Sequence, residues 1–268
     1  MTSSDLNPLS KVKLRRFVKL QEKKYRDQDG LFLAEGLRTV RELCQNIPDE
    51  SMLLALLLRE GEIGLGGFPE IPEDKLYVMN SEQCSLLSST AAPQGVIGVF
   101  RQQQVSRYPC GFKDEKKGRS LLIALDEVQD PGNVGTILRT AAWFGADALI
   151  CSTGTADRYN AKVVRSSAGS LYALPHYTVE RLDLALEELA ASGYAIICSS
   201  LDGEDFRSFV SWPQKQVLVI GNEANGVSRV VQNLAERLVR IPHGGGKSRV
   251  ESLNASVSAA ILMERLVL

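Results

Sequence analysis

Five polar side chains stand in or beside glycine-bearing turns: Asn133, Arg139, Glu223, Ser252 and Asn254. Asn133 follows Asp130-Pro131-Gly132 and leads into Val134-Gly135-Thr136-Ile137-Leu138-Arg139. Val134, Ile137, Leu138, Ala141 and Ala142 recur at helical spacing, which predicts a core-facing helix with Asn133 as its N-cap. Arg139 lies off that stripe. It is either a solvated helix arginine or one aimed at a phosphate or a reacting hydroxyl, and spacing alone leaves both readings open. Glu223 sits in Ile220-Gly221-Asn222-Glu223-Ala224-Asn225-Gly226, a strand running into a glycine turn. It is either a helix N-terminal carboxylate or a site residue. Ser252 and Asn254 flank the start of a helix expected from Leu253 to Leu266, and each is either a plain N-cap or a site group.

Several other chemistries fail on spacing. Gly221 to Ser228 approaches the phosphate-binding pattern G-x-x-x-x-G-K-S/T, but Val227 holds the lysine position, so the main cation for a triphosphate is missing. Gly246-Lys247-Ser248 ends such a pattern, but Ile241 stands where its first glycine belongs. His243-Gly244-Gly245-Gly246 resembles an esterase oxyanion loop, yet no G-x-S-x-G nucleophile follows it. After the apolar strand Leu121 to Leu125 comes Asp126-Glu127-Val128-Gln129-Asp130-Pro131-Gly132, which is not a dinucleotide fingerprint; in Gly64-Leu65-Gly66-Gly67, Pro69 takes the third glycine's place. Five scattered cysteines without a C-x-x-C and only two histidines, His176 and His243, argue against a metal site and for buried free thiols in a reducing compartment.

The elements that must position these residues form two α/β halves. The chain has 268 residues, 44% of them apolar, and a formal net charge of −1, enough apolar content for real cores and no bulk attraction for nucleic acid. The first half, residues 1–101, reads as strands at Leu31 to Ala34, Met52 to Leu58, Leu76 to Met79 and Val96 to Phe100, with helices at Gly36 to Cys44 and Ser81 to Leu87. Residues 102–119 read as a linker. The second half, 120–268, opens on the unbroken run Leu121 to Leu125, the signature of a strand buried on both faces of a parallel sheet. Further strands are expected at Ala148 to Cys151, Tyr194 to Cys198 and Val217 to Ile220, with helices between and ligands at the strands' C-terminal ends.

The longest apolar run, Met52 to Leu58, is far short of the roughly 20 residues of a membrane span, and no signal segment is visible, so a cytoplasmic protein is expected. One basic helix is expected from Lys11 to Arg26, carrying Lys11, Lys13, Arg15, Arg16, Lys19, Lys23, Lys24 and Arg26 against Glu22 alone. It is either a grip for RNA phosphates or a solvated face, readings that differ in their salt dependence.

Taken together, the three turns resemble the SpoU/TrmH family of RNA ribose 2′-O-methyltransferases. Its first motif is matched by Asn133 to Ala141, its second by Ile220-Gly221-Asn222-Glu223 with Gly226, and its third by Ile241-Pro242 followed by Glu251-Ser252-Leu253-Asn254-Ala255-Ser256. Val163-Val164-Arg165-Ser166-Ser167-Ala168-Gly169-Ser170 is similar to a family stretch between the first two. Phe32-Leu33-Ala34-Glu35-Gly36 resembles part of the small RNA-binding domain of many members. One departure is the added glycine-rich sequence from His243 to Val250 within the third motif.

The resemblance implies a C-terminal domain with a trefoil knot, a homodimer formed through it, and S-adenosylmethionine held near Gly221, Ile241 and Leu253, with a further contact at Ser199 or Ser200. It implies methyl transfer without a metal to a ribose hydroxyl of ribosomal RNA, with transfer RNA as the alternative target. Arg139 would act at that hydroxyl, oriented with Asn133, Glu223, Ser252 and Asn254. A competing reading is an RNA-binding α/β protein without catalysis.

Overall fold

The computed structural model describes residues 6–61, 66–103, 118–244 and 251–267. The bulk of the expected linker, Cys110 and most of the glycine-rich stretch 243–250 lie outside the described residues. Two compact units emerge: Met1–Gln104 with Asp157–Ala173, and Val105–Ala156 with Leu174–Leu268. The segment 157–173, continuous in sequence with the second half, thus packs with the first.

The first unit holds a five-stranded sheet. Its strands are β1 (Asn7–Pro8), β2 (Leu31–Glu35), β3 (Leu53–Arg59), β4 (Leu76–Met79) and β5 (Val96–Arg101), in the order β1-β4-β3-β5-β2. β1, β4 and β3 run parallel, and β5 is antiparallel to its neighbours β3 and β2. Leu57, Met79 and Val99 of one face bury Phe17 and Leu20 from the N-terminal helices and Cys84 and Leu87 from α4 (Ser81–Leu87). α4 starts at an Asn80–Gln83 capping box. The helix α3 (Leu37–Asn46) buries Val40 and Leu43. The segment 157–173 contributes aromatic rings to the same unit: Phe32 lies 5.7 Å from Phe100 and 4.8 Å from Tyr159, and Tyr172 is 6.3 Å from Phe32. Tyr172 Oη donates to Arg101 O at 2.5 Å, and Gln103 N donates to Tyr159 Oη at 2.8 Å.

The predicted helix 11–26 is two helices, α1 (Lys11–Lys19) and α2 (Lys23–Asp29). Leu20-Gln21-Glu22 contains no helix breaker, so the break is tertiary in origin. Arg26 turns inward and donates from Nη1 to Leu20 O at 2.9 Å and Gln21 O at 2.7 Å, satisfying carbonyls past the end of α1. Gly30 ends α2 in the left-handed conformation at φ 62°.

The second unit is a six-stranded sheet, all parallel, in the order β11-β9-β10-β6-β7-β8. The strands are β6 (Ser120–Asp126), β7 (Ala148–Ser152), β8 (His176–Val179), β9 (Ala195–Asp205), β10 (Lys215–Gly221) and β11 (Arg237–Arg240). Every residue of β6 is buried, as its unbroken apolar run predicts. Alternate residues of the central strands, among them Leu122, Ala124, Val217 and Val219, pack with Leu182, Leu186 and Leu189 of α7 (Leu182–Ala191) and Val231 of α8 (Arg229–Gln232). α5 (Pro131–Trp143) packs against α9 (Ala255–Val267), and α9 also meets β10. The end of α9 is held by Arg119, which donates to Leu266 O and Val267 O at 2.6 and 2.8 Å, and by Gln216, which donates to Leu266 O at 2.9 Å.

β9 continues well past Cys198, where the sequence predicts a loop. Its outer half is polar and pairs only with β11, so no apolar run marks it. The ladder matches Leu238 to Cys198 and Val239 to Glu204, so residues 199–203, including Ser199 and Ser200, bulge out of register. Gly203 is required there, since a Cβ would come within 2.6 Å of the Leu238 backbone.

Candidate active site

The turns after β6 and β10 converge with the start of α9. β6 leads into Glu127, which holds a left-handed φ of 58°, an uncommon conformation for a residue with a Cβ. Two local bonds support it: Glu127 N donates to Ser152 Oγ at 2.9 Å, and Asn222 Nδ2 donates to Glu127 O at 2.8 Å. α5 then begins at Asp130, whose Oδ1 accepts from Asn133 N at 3.0 Å, with Pro131 in the first turn. Asn133 is therefore not the predicted N-cap. Proline's fixed φ favours the first helical position, which moves the cap to the preceding aspartate. The Asn133 side chain is left to work elsewhere.

It bonds Glu223. Asn133 Nδ2 donates to Glu223 Oε1 at 2.8 Å, and the backbone N–H groups of Asp130 and Gln129 donate to Oε1 at 3.1 Å and Oε2 at 3.0 Å. Burial pushes the Glu223 carboxyl up, but the Asn133 amide and these backbone donors outweigh it, and the net shift is downward from 4.5. On the other side, Asn133 Oδ1 accepts from Asn254 Nδ2 at 2.9 Å. Asn254 Oδ1 accepts in turn from Ser256 N at 2.9 Å, Ser256 Oγ at 2.7 Å and Val257 N at 3.3 Å. Asn254 is thus the cap of α9 and a member of the network at once. A continuous chain, Glu223–Asn133–Asn254, ties three turns together.

Gly221 gives the second turn its shape. Asn222 and Gly226 exchange backbone hydrogen bonds at 3.0 and 2.9 Å, which folds the turn back onto the strand end. A Cβ on Gly221 would fall 2.1 Å from Gly226 C and Val227 N. The turn is closed by Asp126 Oδ2, which accepts from Ser228 N at 2.7 Å. Neither Asp126 nor Asn222 is among the predicted site residues, although a carboxylate directly after the apolar run Leu121 to Leu125 is a legible signal; in the fold Asp126 is buried. Ile241 is half-buried, and Leu253 is 48% exposed.

Arg139 and Ser252 are not joined to this network. Arg139 is exposed on α5, two turns beyond Asn133, and among the described residues no hydrogen-bond or ion-pair partner meets it. Trp143, one turn further along α5, is 85% exposed. Ser252 is also exposed. Among the described residues, no group of three or more His, Cys, Asp and Glu side chains is placed to hold a metal ion, and no helix is long and apolar enough to cross a membrane. Cys44, Cys84, Cys151 and Cys198 are buried, and burial pushes the Cys44 and Cys198 thiols up to about 12.

In the first unit the predicted basic residues divide. Arg26 is a correction: it is 5% exposed, with its Nη2 2.5 Å from Asp157 Oδ2 and its Nη1 on two carbonyls, so it faces the protein and not a ligand. Burying an arginine requires a paired carboxylate, and Asp157 supplies it. Lys13 bonds Tyr77 Oη and lies 4.1 Å over its ring. Lys23 pairs with Asp27 at 2.5 Å, and Arg16 pairs with Asp29 at 2.8 Å. Lys11, Arg15, Lys19 and Lys24 are exposed.

A parallel sheet with a glycine-tight turn and a polar network at its C-terminal strand ends defines a ligand-binding α/β enzyme domain. The chain belongs to the SpoU rRNA Methylase family, whose model matches residues 120–264; a second model, the MRM3-like substrate binding domain, matches residues 11–98. Over 95% of both chains it is 30% identical to the 23S rRNA (guanosine(2553)-2′-O)-methyltransferase RlmP of Bacillus subtilis (strain 168). It is similar to the structure of a putative RNA methyltransferase of the TrmH family from Porphyromonas gingivalis, with a TM-score of 0.81, 28% identity and coverage of 96% of this chain and 98% of that one. It is also similar to the SpoU methyltransferase AviRb from Streptomyces viridochromogenes in complex with the cofactor AdoMet, with a TM-score of 0.78, 26% identity and coverage of 96% and 97%. The chain is an RNA methyltransferase of the SpoU/TrmH class.

Proposed function

We propose that the chain transfers the methyl group of S-adenosylmethionine to a ribose 2′-hydroxyl of ribosomal RNA. The observation that carries this reading is the Glu223–Asn133–Asn254 chain, which joins all three family motifs at one end of the sheet. The ribose position and the ribosomal target follow the printed name of the relative RlmP, and the cofactor follows the AviRb complex. The reading includes a cytoplasmic site of action, as a ribosomal RNA target requires.

The residues fit that cofactor. At Gly221 the turn closes so tightly that no side chain can stand there, which leaves bare backbone for a ligand's polar edge. Ile241 and Leu253 supply apolar surface nearby in the motifs, and the bulge at Ser199 adds hydroxyls beside the strand end. When bound, S-adenosylmethionine supplies a methyl group activated by its sulfonium. The chain must hold a ribose oxygen in line with that methyl, about 3 Å away, and help the hydroxyl lose its proton. The Arg139 guanidinium stabilises the developing alkoxide and an adjacent phosphate. Asn133, held by the ionised Glu223, keeps Asn254 and the start of α9 in place, and Ser252 lies two residues before Asn254 to contact the substrate.

The reading includes a trefoil knot in the second unit. It is supported by the chain path: β11 lies at the edge beyond β9, yet the chain returns from it to set Asn254 against Asn133 after β6. It also includes a homodimer through this unit, supported by the exposure of Trp143, Leu253 and Val257 on and before the paired helices α5 and α9. A dimer would let Arg139 act at the partner's site.

The test is transfer of labelled methyl from S-adenosylmethionine to ribosomal RNA lacking the modification, followed by nucleoside digestion. Label in a 2′-O-methylnucleoside that disappears with Arg139→Ala is expected. Label on a base overturns the ribose chemistry, and neither label nor cofactor binding favours an RNA-binding protein without catalysis.

A further inference from the structure

The break between α1 and α2 makes a notch that a single long helix would not have. Val12, Arg15, Arg16, Lys19, Tyr25, Gln28 and Asp29 line it, around a cavity of about 380 Å³. That volume lies at the small end of the roughly 300–1,000 Å³ range of ligand sites. Its chemistry is mixed in a particular way. The half-buried Tyr25 offers a ring, with Lys19 Nζ 5.3 Å and Lys24 Nζ 5.8 Å from its centroid. Arg16 is fixed by its 2.8 Å bond to Asp29, so its guanidinium is preorganised at the wall. Val12, 78% exposed, adds apolar surface that a solvated cationic face has no need of.

A duplex phosphate track asks for a row of cations on a convex or flat face. A ring flanked by cations inside a concavity instead suits an unstacked base with its own phosphate. We propose that this notch receives one unpaired nucleotide of the RNA substrate, with its base against Tyr25 and its phosphate between Arg15 and Lys19. The proposal rests on the reading of the chain as an RNA methyltransferase. It makes single-stranded or bulged RNA, rather than a continuous helix, the form that the first unit grips.

The test uses the full chain and fluorescence anisotropy with a labelled single-stranded RNA dodecamer and its blunt duplex. The single strand is expected to bind more tightly. Tyr25→Leu, which keeps apolar volume without an aromatic face, is expected to lose about tenfold on the single strand only, while Tyr25→Phe stays within about twofold. Arg15→Gln and Lys19→Gln should each lower the salt slope by about 0.7, and Tyr25→Leu should leave it unchanged. Thermal melts of each variant separate lost binding from lost folding. Equal single-strand affinity for wild type and Tyr25→Leu, or tighter binding of the duplex, overturns the proposal. Methyl transfer by the wild type, measured in parallel, reports separately on the enzymatic reading, so the two can fail independently.

Discussion

Asn133 and Glu223 are 90 residues apart in sequence and 2.8 Å apart at Nδ2 and Oε1. The bond holds the first turn of α5 against the turn after β10, and the other end of the same amide holds Asn254. Asn133→Ala breaks both links and leaves Glu223 and Asn254 each short of a partner. We expect the protein to fold and to lose roughly 10–100-fold in kcat/KM, the scale of a small misplacement of reacting groups. Asn133→Asp should be worse, because it sets a second carboxylate against Glu223. Steady-state kinetics beside a thermal melt decides this: unchanged kcat/KM for Asn133→Ala would remove the network from the mechanism.

Glu223 gives the network a pH dependence with a definite sign. Burial raises its pKa and the hydrogen bonds from Asn133, Gln129 and Asp130 lower it further than burial lifts it, to a net value below 4.5. A carboxyl depressed on folding contributes stability that is complete above its unfolded pKa and is lost as pH falls through the folded one. Melting temperatures of wild type and Glu223→Gln should therefore differ at neutral pH and converge in acid below about pH 4.5. Because Glu223 is more than a third exposed, the gap is small, on the order of 1 kcal/mol after solvent screening. A gap that widens in acid would contradict the assignment of the carboxylate as the acceptor.

Gly221 is constrained by backbone rather than by side chains. A Cβ there meets Gly226 C and Val227 N at 2.1 Å, and neither atom can rotate away. Gly221→Ala should cost about 1–3 kcal/mol, as overpacking does, and should abolish cofactor binding by calorimetry because the turn must open. Gly244→Ala is the control: among the described residues nothing lies within 4 Å of its Cβ position, and it should melt as wild type. Normal cofactor affinity in a folded Gly221→Ala would show that this turn does not meet the ligand.

What the sequence reveals depends on whether the deciding contact is local. β6 is legible because burial on both faces leaves an unbroken apolar run, and α4 because Asn80 and Gln83 form their capping box within one turn. The three turns are legible as candidates because glycines and amides cluster in them. Their joining is not, because asparagine serves equally as a cap, and only the neighbouring proline decides against Asn133. The outer half of β9 is hidden because a polar edge strand with a bulge carries no alternation. The packing of Tyr159 and Tyr172 with the first unit is hidden for a different reason: nothing local distinguishes a tyrosine that stays with its flanking strands from one that packs on a sheet formed earlier in the chain.

Arg26 is the sharpest case, and it yields the last prediction. By charge it is one of eight basic residues between Lys11 and Arg26, but its partner Asp157 is 131 residues away. The guanidinium is buried, bonded by Nε and Nη2 to that carboxylate at 3.2 and 2.5 Å and by Nη1 to the carbonyls of Leu20 and Gln21. Arg26→Ala leaves the half-buried Asp157 carboxylate and two carbonyls short of a partner, which should cost about 3 kcal/mol, the low end for breaking a buried pair. Arg26→Lys should recover only part of this, since an ammonium cannot reproduce the fork that serves both partners. Lys11→Ala and Lys24→Ala, on the exposed surface, should change stability by less than about 0.5 kcal/mol but reduce RNA affinity at low salt. The two classes of variant thus separate by readout: denaturant melts move for Arg26 alone, and the salt dependence of RNA binding moves for the exposed lysines alone. If Arg26→Ala melts as wild type while its RNA affinity falls, the inward geometry is wrong and Arg26 belongs with the RNA-facing cations after all.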